Sequence, residues 1–343
     1  MRWWTLFSFI GLLCASCSTA KTSIDVLKKP SANVPARVQR VAVASRVDYS
    51  GAKVTHYVNG NFMREFQSLS KPACEEAAKT LVDLLNDVGR YQAGYVPMPQ
   101  APRINEMGGM ALTRKQTQAF CKAHRADAVI FIEYFAGTVD TDGQVIWSST
   151  VDRTYGAVQV PMFDQSRTLQ ADMYFRMYAG ATGEILYETK RVEELYFNAR
   201  GETPRGTAYQ LPASDDGLIQ TAMSNAYLFS KDISPWWKDE TRTLYVYGSP
   251  NLVKSGNLAL SGRWEEATDA WFTLTEEGSK KEKERASFNL IVASEMAGDV
   301  TLAKQWAEKC VNVYGNKKAQ KALENLQKRE KEMEEIESLF YKP

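Results

Sequence analysis

The stretch "DAVIFIEYFAGTVD" (127–140) carries the strongest strand signal in the chain, a continuous run of aliphatic and aromatic residues. The segment before it, "RKQTQAFCKAHRA" (114–126), has helical spacing, and Thr113 is its predicted N-cap. Further towards the amino terminus lie a buried strand, a helix and a short strand, namely "VQRVAVASRV" (38–47), "CEEAAKTLVDLLNDVG" (74–89) and "RYQAGYV" (90–96). The order β-α-β-α-β predicts an α/β domain.

The segment 144–197 instead shows a period of two, which is typical of antiparallel strands. We predict a hairpin turn at "DTDGQ" (140–144), because its glycine stands at the fourth position and not at the sixth position of a calcium loop. A second hairpin loop is expected at "ATG" (181–183), and a helix is expected over 214–230. The domain is therefore predicted to span 38–250, with a mixed, partly antiparallel sheet flanked by helices.

The remainder of the chain is predicted to be helical and contains an internal repeat. The segments "SGRWEEATDAW" (261–271) and "AGDVTLAKQWA" (297–307) align glycine on glycine and alanine on alanine with a period of 36. Such spacing is typical of tetratricopeptide-like helix pairs, in which small residues allow close helix crossing and bulky residues fill the space between repeats. The predicted repeat-packing residues are Gly262, Trp264, Ala267, Trp271, Leu290, Gly298 and Ala303. Two repeats are expected over 251–315, followed by a capping helix over 316–343.

The amino terminus, "MRWWTLFSFIGLLCASCSTAK" (1–21), has the layout of a secretory signal. Arg2 precedes an apolar run that is too short to span a bilayer, and small residues follow. The stretch resembles the lipobox of bacterial lipoproteins, which implies cleavage after residue 16 and lipidation of Cys17, with ordinary signal cleavage as the alternative. Residues 17–37 are expected to form a flexible tether.

Composition excludes several classes of protein. Lysine and arginine total 42 against 41 aspartate and glutamate, and no basic stripe with aromatic residues appears, so nucleic acid is not an expected partner. Cys74, Cys121 and Cys310 are too few for a disulfide framework, and buried thiols are expected. A disulfide between Cys74 and Cys121 remains an alternative.

No catalytic, metal or cofactor site is predicted. The chain has two histidines, His56 and His124, which excludes a three-histidine zinc site. Ser50 and Lys53 match the first motif of the penicillin-recognising acyl enzymes, but the serine lies in a predicted loop and not at the start of a buried helix. We therefore expect a protein that is not an enzyme.

From residue 234 onwards the chain resembles the domain-of-unknown-function 6340 family of bacterial envelope lipoproteins. The residues that carry this resemblance are Pro235-Trp236, Arg242 with Tyr245, and Gly262-Arg263-Trp264. With upstream strands such as "VAVASR" and "DAVIFIEYF", the similarity extends over about 38–312. The α/β half also resembles envelope assembly modules such as the curli-secretion lipoprotein. The resemblance implies an architecture and a cell-envelope location but no reaction.

These observations together predict a lipid-anchored scaffold on the periplasmic face of the outer membrane, which binds other envelope proteins and needs no cofactor. The alternative is a carbohydrate-binding protein or an enzyme whose site lies among aromatic residues of the α/β domain, such as Trp236, Trp237, Tyr245 and Tyr247.

Overall fold

A computed structural model describes residues 19–66, 69–98 and 109–340. The chain divides into two compact units. The α/β unit comprises Lys29–Trp236, and the helical unit combines the segment up to Lys28 with Trp237–Glu335. The predicted fold class, a mixed α/β region followed by an all-helical region, is confirmed. Among the described residues, no helix combines the length and the apolar composition that crossing a bilayer requires.

The α/β unit contains seven strands and four helices within the described residues. In chain order they are β2 (Arg40–Ser45), β3 (Val54–Val58), β4 (Asn61–Phe66), α1 (Ser70–Asp87), β5 (Gln92–Tyr95), α2 (Arg114–Ala123), β6 (Ala128–Asp152), β7 (Gly156–Ala179), β8 (Ile185–Gly201), α3 (Pro204–Ala208) and α4 (Ser214–Ile233), while β1 (Thr19–Lys28) belongs to the helical unit.

The sheet of this unit mixes parallel and antiparallel pairs, with β3 as well as β2 parallel to β6. Strand β2 lies between β5 and the first part of β6 and is parallel to both. Strands β6, β7 and β8 form an antiparallel meander, and the hairpin of β3 and β4 joins β6 through β3. The crossover β2-α1-β5-α2-β6 accounts for the β-α-β-α-β pattern of the sequence.

Helices cover both faces of the sheet. Helices α1 and α4 pack on one face over the main core, where Phe175 of β7 stacks on Phe229 of α4 at 4.6 Å between ring centroids. Helix α2 covers the opposite face, where Cys121 packs with Phe131 and Tyr178. Its predicted cap is confirmed, because the hydroxyl of Thr113 accepts a hydrogen bond from the Gln116 amide in a capping box.

Cys74 and Cys121 are free thiols that lie in the cores on opposite faces of the sheet. A disulfide requires Cα atoms within about 7 Å of each other, and two cysteines separated by the sheet do not meet this condition.

The hairpin turn predicted at 140–144 is wrong. Strand β6 continues without interruption from Ala128 to Asp152, and Asp142 and Gly143 pair with residues of β7 in regular antiparallel register. The local preference of these residues for a turn is overridden by pairing along the whole length of β7, and the turn falls at 153–155. The hairpin loop predicted at 181–183 does connect β7 to β8.

The helical unit contains two strands and five helices within the described residues. They are β1, β9 (Trp236–Tyr245), α5 (Pro250–Leu260), α6 (Trp264–Glu277), α7 (Lys280–Met296), α8 (Val300–Tyr314) and α9 (Lys317–Ser338). Side-chain caps define several helix starts: Ser249 caps α5, Ser279 forms a capping box with Glu282 at α7, and Asp299 caps α8.

The flexible tether predicted over 17–37 is wrong for residues 19–28. These residues form strand β1, which pairs with β9 in a two-stranded sheet, and Ile24 and Val26 are buried in the core of the helical unit. The predicted domain end near residue 250 is also wrong. Strand β9 belongs to the helical unit from Trp237 onwards, so the α/β unit ends at Trp236. Alternating apolar residues in 24–26 could have indicated a strand, but the partner strand lies more than 200 residues away.

Candidate functional site

A buried cluster of charged residues lies at the carboxyl end of β2. Arg46 follows β2 directly, and its amide still pairs with the carbonyl of Ile132. Strand β6 has a register shift between Ile132 and Tyr134, and this bulge accommodates Glu133. Arg46 and Arg176 both bind Glu133, at 2.9 Å and 2.7 Å, and all three side chains are at least 95% buried.

The carboxylate of Glu133 accepts three hydrogen bonds. Oε1 accepts hydrogen bonds from Arg46 and from the hydroxyl of Tyr178, and Oε2 accepts one from Arg176. Burial raises the pKa of Glu133, and the Tyr178 hydroxyl and the two guanidinium groups offset part of this effect. Arg176 also binds Glu188 of β8 at 2.6 Å. The cluster therefore ties β2, β6, β7 and β8 together, and it presents no free acid, base or nucleophile.

Sequence reasoning did not single out these three residues. The available signal was polar residues inside otherwise apolar strand segments, such as Glu133 in "VIFIEYF" (129–135), because a buried charge needs a partner. The partners themselves could not be identified, since Arg46 and Arg176 lie 87 and 43 residues away from Glu133.

The β6–β7 hairpin extends beyond the rest of the sheet as a two-stranded ribbon, residues 145–162. Strand β3 pairs with β6 only as far as Thr141, and β8 pairs with β7 only from Phe163 onwards. The ribbon has charged residues only at 152 and 153, beside the turn. Several of its large apolar residues are exposed, with 68% of Trp147, 82% of Val151 and 80% of Tyr155 accessible. Isolated two-stranded ribbons are only marginally stable in water, so these residues are expected to contact something.

One edge of the ribbon is open for strand pairing. The amide of Gly143 points away from β7 and donates to the Asn59 side chain at 2.9 Å, which closes the edge at this position. Residues two apart on a strand point their backbone groups the same way, so Val145, Trp147, Ser149 and Val151 present theirs along the same edge. No described residue bonds to those groups.

The opposite edge of the ribbon is blocked. Pro161 stands directly across from Trp147 in the antiparallel register. Because the backbone groups of Trp147 point outwards, this is a non-hydrogen-bonded pair, and the nitrogen of Pro161 points towards the other edge. A proline there has no N–H to donate, which is a usual device against strand addition. The β6 edge has neither a proline nor a lysine in 145–151.

The predicted repeat-packing residues lie on the helices α6, α7 and α8 and in the turns before α6 and α8. Ala267 and Ala303 are fully buried on α6 and α8, and Trp271 and Leu290 are buried in one core. Trp264 is half-buried and contacts Trp271 edge to face at 6.4 Å. Gly262 and Gly298 occupy the turns between paired helices with φ angles of +83° and +79°, which favour glycine.

A groove lies between β9, α7 and α9 within the helical unit. It has a volume of about 320 Å³, and Phe288, Ile291 and Val292 of α7 form its apolar floor. Thr243 contributes the strand side, and the α9 side carries further lining residues, namely Lys318, Lys321, Ala322 and Asn325.

One end of this groove is anchored by a network of ion pairs. Glu295 of α7 accepts from Arg242 of β9 at 2.9 Å and from Arg329 of α9 at 3.0 Å. Arg242 also binds Glu240, which pairs with Lys28 of β1 at 3.0 Å. The network fixes the three walls of the groove relative to one another.

The side chains considered as catalytic candidates have structural roles. Ser50 lies in a turn and donates a hydrogen bond to Asp48 at 2.5 Å, and Lys53 pairs with Glu65 at 2.9 Å. Burial raises the pKa of the Cys121 thiol to about 11, so this thiol stays protonated near neutral pH. The described residues contain no group of three or more side chains suited to a metal ion.

The aromatic residues considered as a ligand platform have varied surroundings. Lys231 stacks its ammonium over the Trp236 ring at 4.3 Å, and Tyr245 packs edge to face on Phe288 at 5.1 Å. Trp237 and Tyr247 are each about half exposed, at 52% and 50%. The predicted lipidation site, Cys17, lies outside the described residues.

Comparisons with known proteins identify two regions of the chain. The family model of the domain of unknown function DUF6340 matches residues 253–339. The resemblance to this family is thus confirmed for the helical region, and its expected extension over 38–252 is not, because a different family model matches there. No curated protein matches the chain.

Several solved structures are similar to part of the chain. The PelC dodecamer from Paraburkholderia phytofirmans is 10% identical and has a TM-score of 0.24, over 60% of this chain and 93% of that chain. A putative neuraminyllactose-binding hemagglutinin homolog from Helicobacter pylori is 12% identical (TM-score 0.27, 60% and 88%). Lipoprotein GNA1162 from Neisseria meningitidis is 10% identical (TM-score 0.20, 56% and 96%). These TM-scores are too low to support a functional conclusion.

The α/β region identifies the family. The family model of the domain of unknown function DUF8603 matches residues 38–245, which is more than half of the chain. The chain therefore belongs to the DUF8603 family.

Proposed function

We propose that this protein is a lipid-anchored, non-enzymatic assembly scaffold of the cell envelope, whose copies associate through the open β6 edge of the ribbon. The observation that carries the proposal is this edge, which is uncharged and exposed over 145–151 and has no partner among the described residues. Natural proteins usually protect such edges, because an unprotected edge pairs with any compatible strand.

A second copy is a suitable partner for this edge. In an antiparallel pairing with two-fold symmetry about Ser148, Trp147 stands opposite Ser149 and Val145 stands opposite Val151. All four residues direct their backbone groups outwards, so each pair exchanges two hydrogen bonds. The edge contains no charge that would face a like charge across the symmetry axis. The contact is isologous and closes on itself.

The role of scaffold agrees with the chemistry of the two units. The buried charged cluster fixes the base of the hairpin, and the helical unit consists of successive helices. Tetratricopeptide-like repeats, which these helices would form, commonly bind other proteins. The anchor would be the lipid on Cys17, and the location would be the periplasmic face of the outer membrane.

Proline substitution at the open edge tests self-association. Ser149→Pro removes an outward N–H without breaking a bond to β7, whereas the control Ser149→Ala keeps that N–H. The measurement is the mass of the detergent-solubilised full chain by light scattering after gel filtration. We expect a dimer or larger assembly for the parent and for Ser149→Ala, and a monomer for Ser149→Pro. A parent that is monomeric at tens of micromolar, or an assembly unaffected by Ser149→Pro, would refute the proposal.

The anchor is tested separately. Cys17→Ser should abolish fatty-acid labelling and move the protein from the membrane fraction to the soluble periplasmic fraction. Unchanged labelling and fractionation would exclude lipidation at Cys17.

A further inference from the structure

The outer edge of β9 is shaped for pairing with another strand. The Asn289 side-chain amide, on α7, donates to the carbonyl of Tyr245 and accepts from its N–H, both at 2.8 Å. This is the pair of hydrogen bonds that a neighbouring strand would make. It shows that the N–H and the C=O of Tyr245 both point towards α7.

The next backbone position along this edge opens into the groove between β9, α7 and α9. Thr243 is two residues before Tyr245, so its N–H and C=O point in the same direction. No described residue bonds to the backbone of Thr243 on that side, and Thr243 lines the groove. An incoming strand at Thr243 would continue the row of hydrogen bonds that the Asn289 amide begins.

The floor and the rim of the groove determine which side chains an incoming strand should have. Phe288, Ile291 and Val292 give an apolar floor for alternate side chains of an extended segment. On the α9 rim, the Lys318 ammonium lies over the Tyr245 ring at 5.0 Å, and neither Lys318 nor Lys321 pairs with a carboxylate of a described residue. The nearby Glu295 already binds Arg242 and Arg329. The rim therefore offers two positive charges to an incoming anionic group.

We infer that this groove binds an extended acidic segment of a partner protein by strand addition to β9. Thr243 exchanges backbone hydrogen bonds with the segment, Lys318 and Lys321 bind its carboxylates, and its apolar side chains contact the floor on α7. The cavity of about 320 Å³ holds a few residues, so the recognised segment is short. This site is independent of the ribbon and does not rest on the proposed self-association.

A synthetic peptide of four Val-Glu repeats is a suitable probe, with its binding to the full chain measured by fluorescence anisotropy. The charge-reversed peptide of four Val-Lys repeats should not bind. Replacing Lys318 and Lys321 together by glutamine should weaken binding of the acidic peptide on the order of tenfold, and the loss should shrink as salt is added. The matched control is Lys317→Gln, since Lys317 is exposed on α9 and does not line the groove.

Backbone methylation of the peptide separates strand addition from simple charge attraction. Only alternate amides of an added strand face β9, so N-methylation of one alternating set should abolish binding while methylation of the other set should not. Ser149→Pro in the ribbon should leave binding unchanged, which distinguishes a failure here from a failure of self-association. No binding of the acidic peptide, equal binding by both methylated forms, or no effect of the two glutamines would each overturn the inference.

Discussion

Among the residues that the structure describes, Trp271 is the largest fully buried side chain, and its truncation should destabilise the helical unit. A buried tryptophan removes about 150–250 Å² from water, which at about 25 cal/mol per Å² corresponds to ~4–6 kcal/mol as an upper bound. Its indole N–H is buried without a hydrogen-bond partner, and removing this unpaired donor offsets about 1–3 kcal/mol of the destabilisation. The difference is about 1–5 kcal/mol, and we expect Trp271→Ala to cost ~3 kcal/mol. By the same argument, Trp271→Phe should cost much less, because it keeps most of the ring and removes the unpaired donor.

Hydrogen exchange by mass spectrometry is the assay of choice, because it reports on peptides of 264–296 separately from the α/β unit. A loss of ~3 kcal/mol should speed exchange of the slowest amides there by roughly 140-fold, at about 1.4 kcal/mol per factor of ten. Trp147→Ala in the exposed ribbon is the control and should leave this exchange unchanged. Equal costs for Trp271→Ala and Trp271→Phe, or a cost for Trp271→Ala below about 1 kcal/mol, would refute the packing argument.

Three further predictions concern other buried or paired groups. Ala267→Arg should force a charge into the core of the helical unit and cost several kcal/mol in chemical denaturation, whereas the exposed Asp269→Arg should change stability by less than about 0.5 kcal/mol. Glu133→Gln should destabilise the α/β unit by ~3–5 kcal/mol, because the buried Arg46 guanidinium loses its counter-charge and Arg176 keeps only Glu188; Lys53→Gln, at a surface pair, should cost under about 1 kcal/mol. For Asp127, burial acts to raise the pKa, but hydrogen bonds from the Arg40 side chain and from two backbone amides outweigh it, so the folded-state pKa is lowered. Its stabilisation is present above the unfolded value near pH ~3.9 and is lost as pH falls below it, so the urea midpoints of the parent and Asp127→Asn should converge on acidification.

Helix starts and the turns between paired helices can be predicted from sequence because the interactions that determine them are local. Thr113 and Gln116 form a capping box within a single turn, as do Ser279 and Glu282. The glycines at 262 and 298 satisfy a local φ requirement at the turns between paired helices. Apolar periodicity likewise identified the buried strands and the helical faces, since burial of one face repeats every few residues.

Contacts between distant residues determine the features that local sequence patterns did not predict. Local composition favoured a turn at 140–144 and a tether at 19–28, but pairing with β7 and with β9 stabilises both as strands. The same holds for both candidate surfaces. The ribbon edge is open because neighbouring strands end before it, and the groove exists because Asn289 meets Tyr245 across 44 residues. A sequence pattern shows which residues prefer burial or a turn, but strand partners and open edges result from long-range pairing, whose free energy exceeds these local preferences.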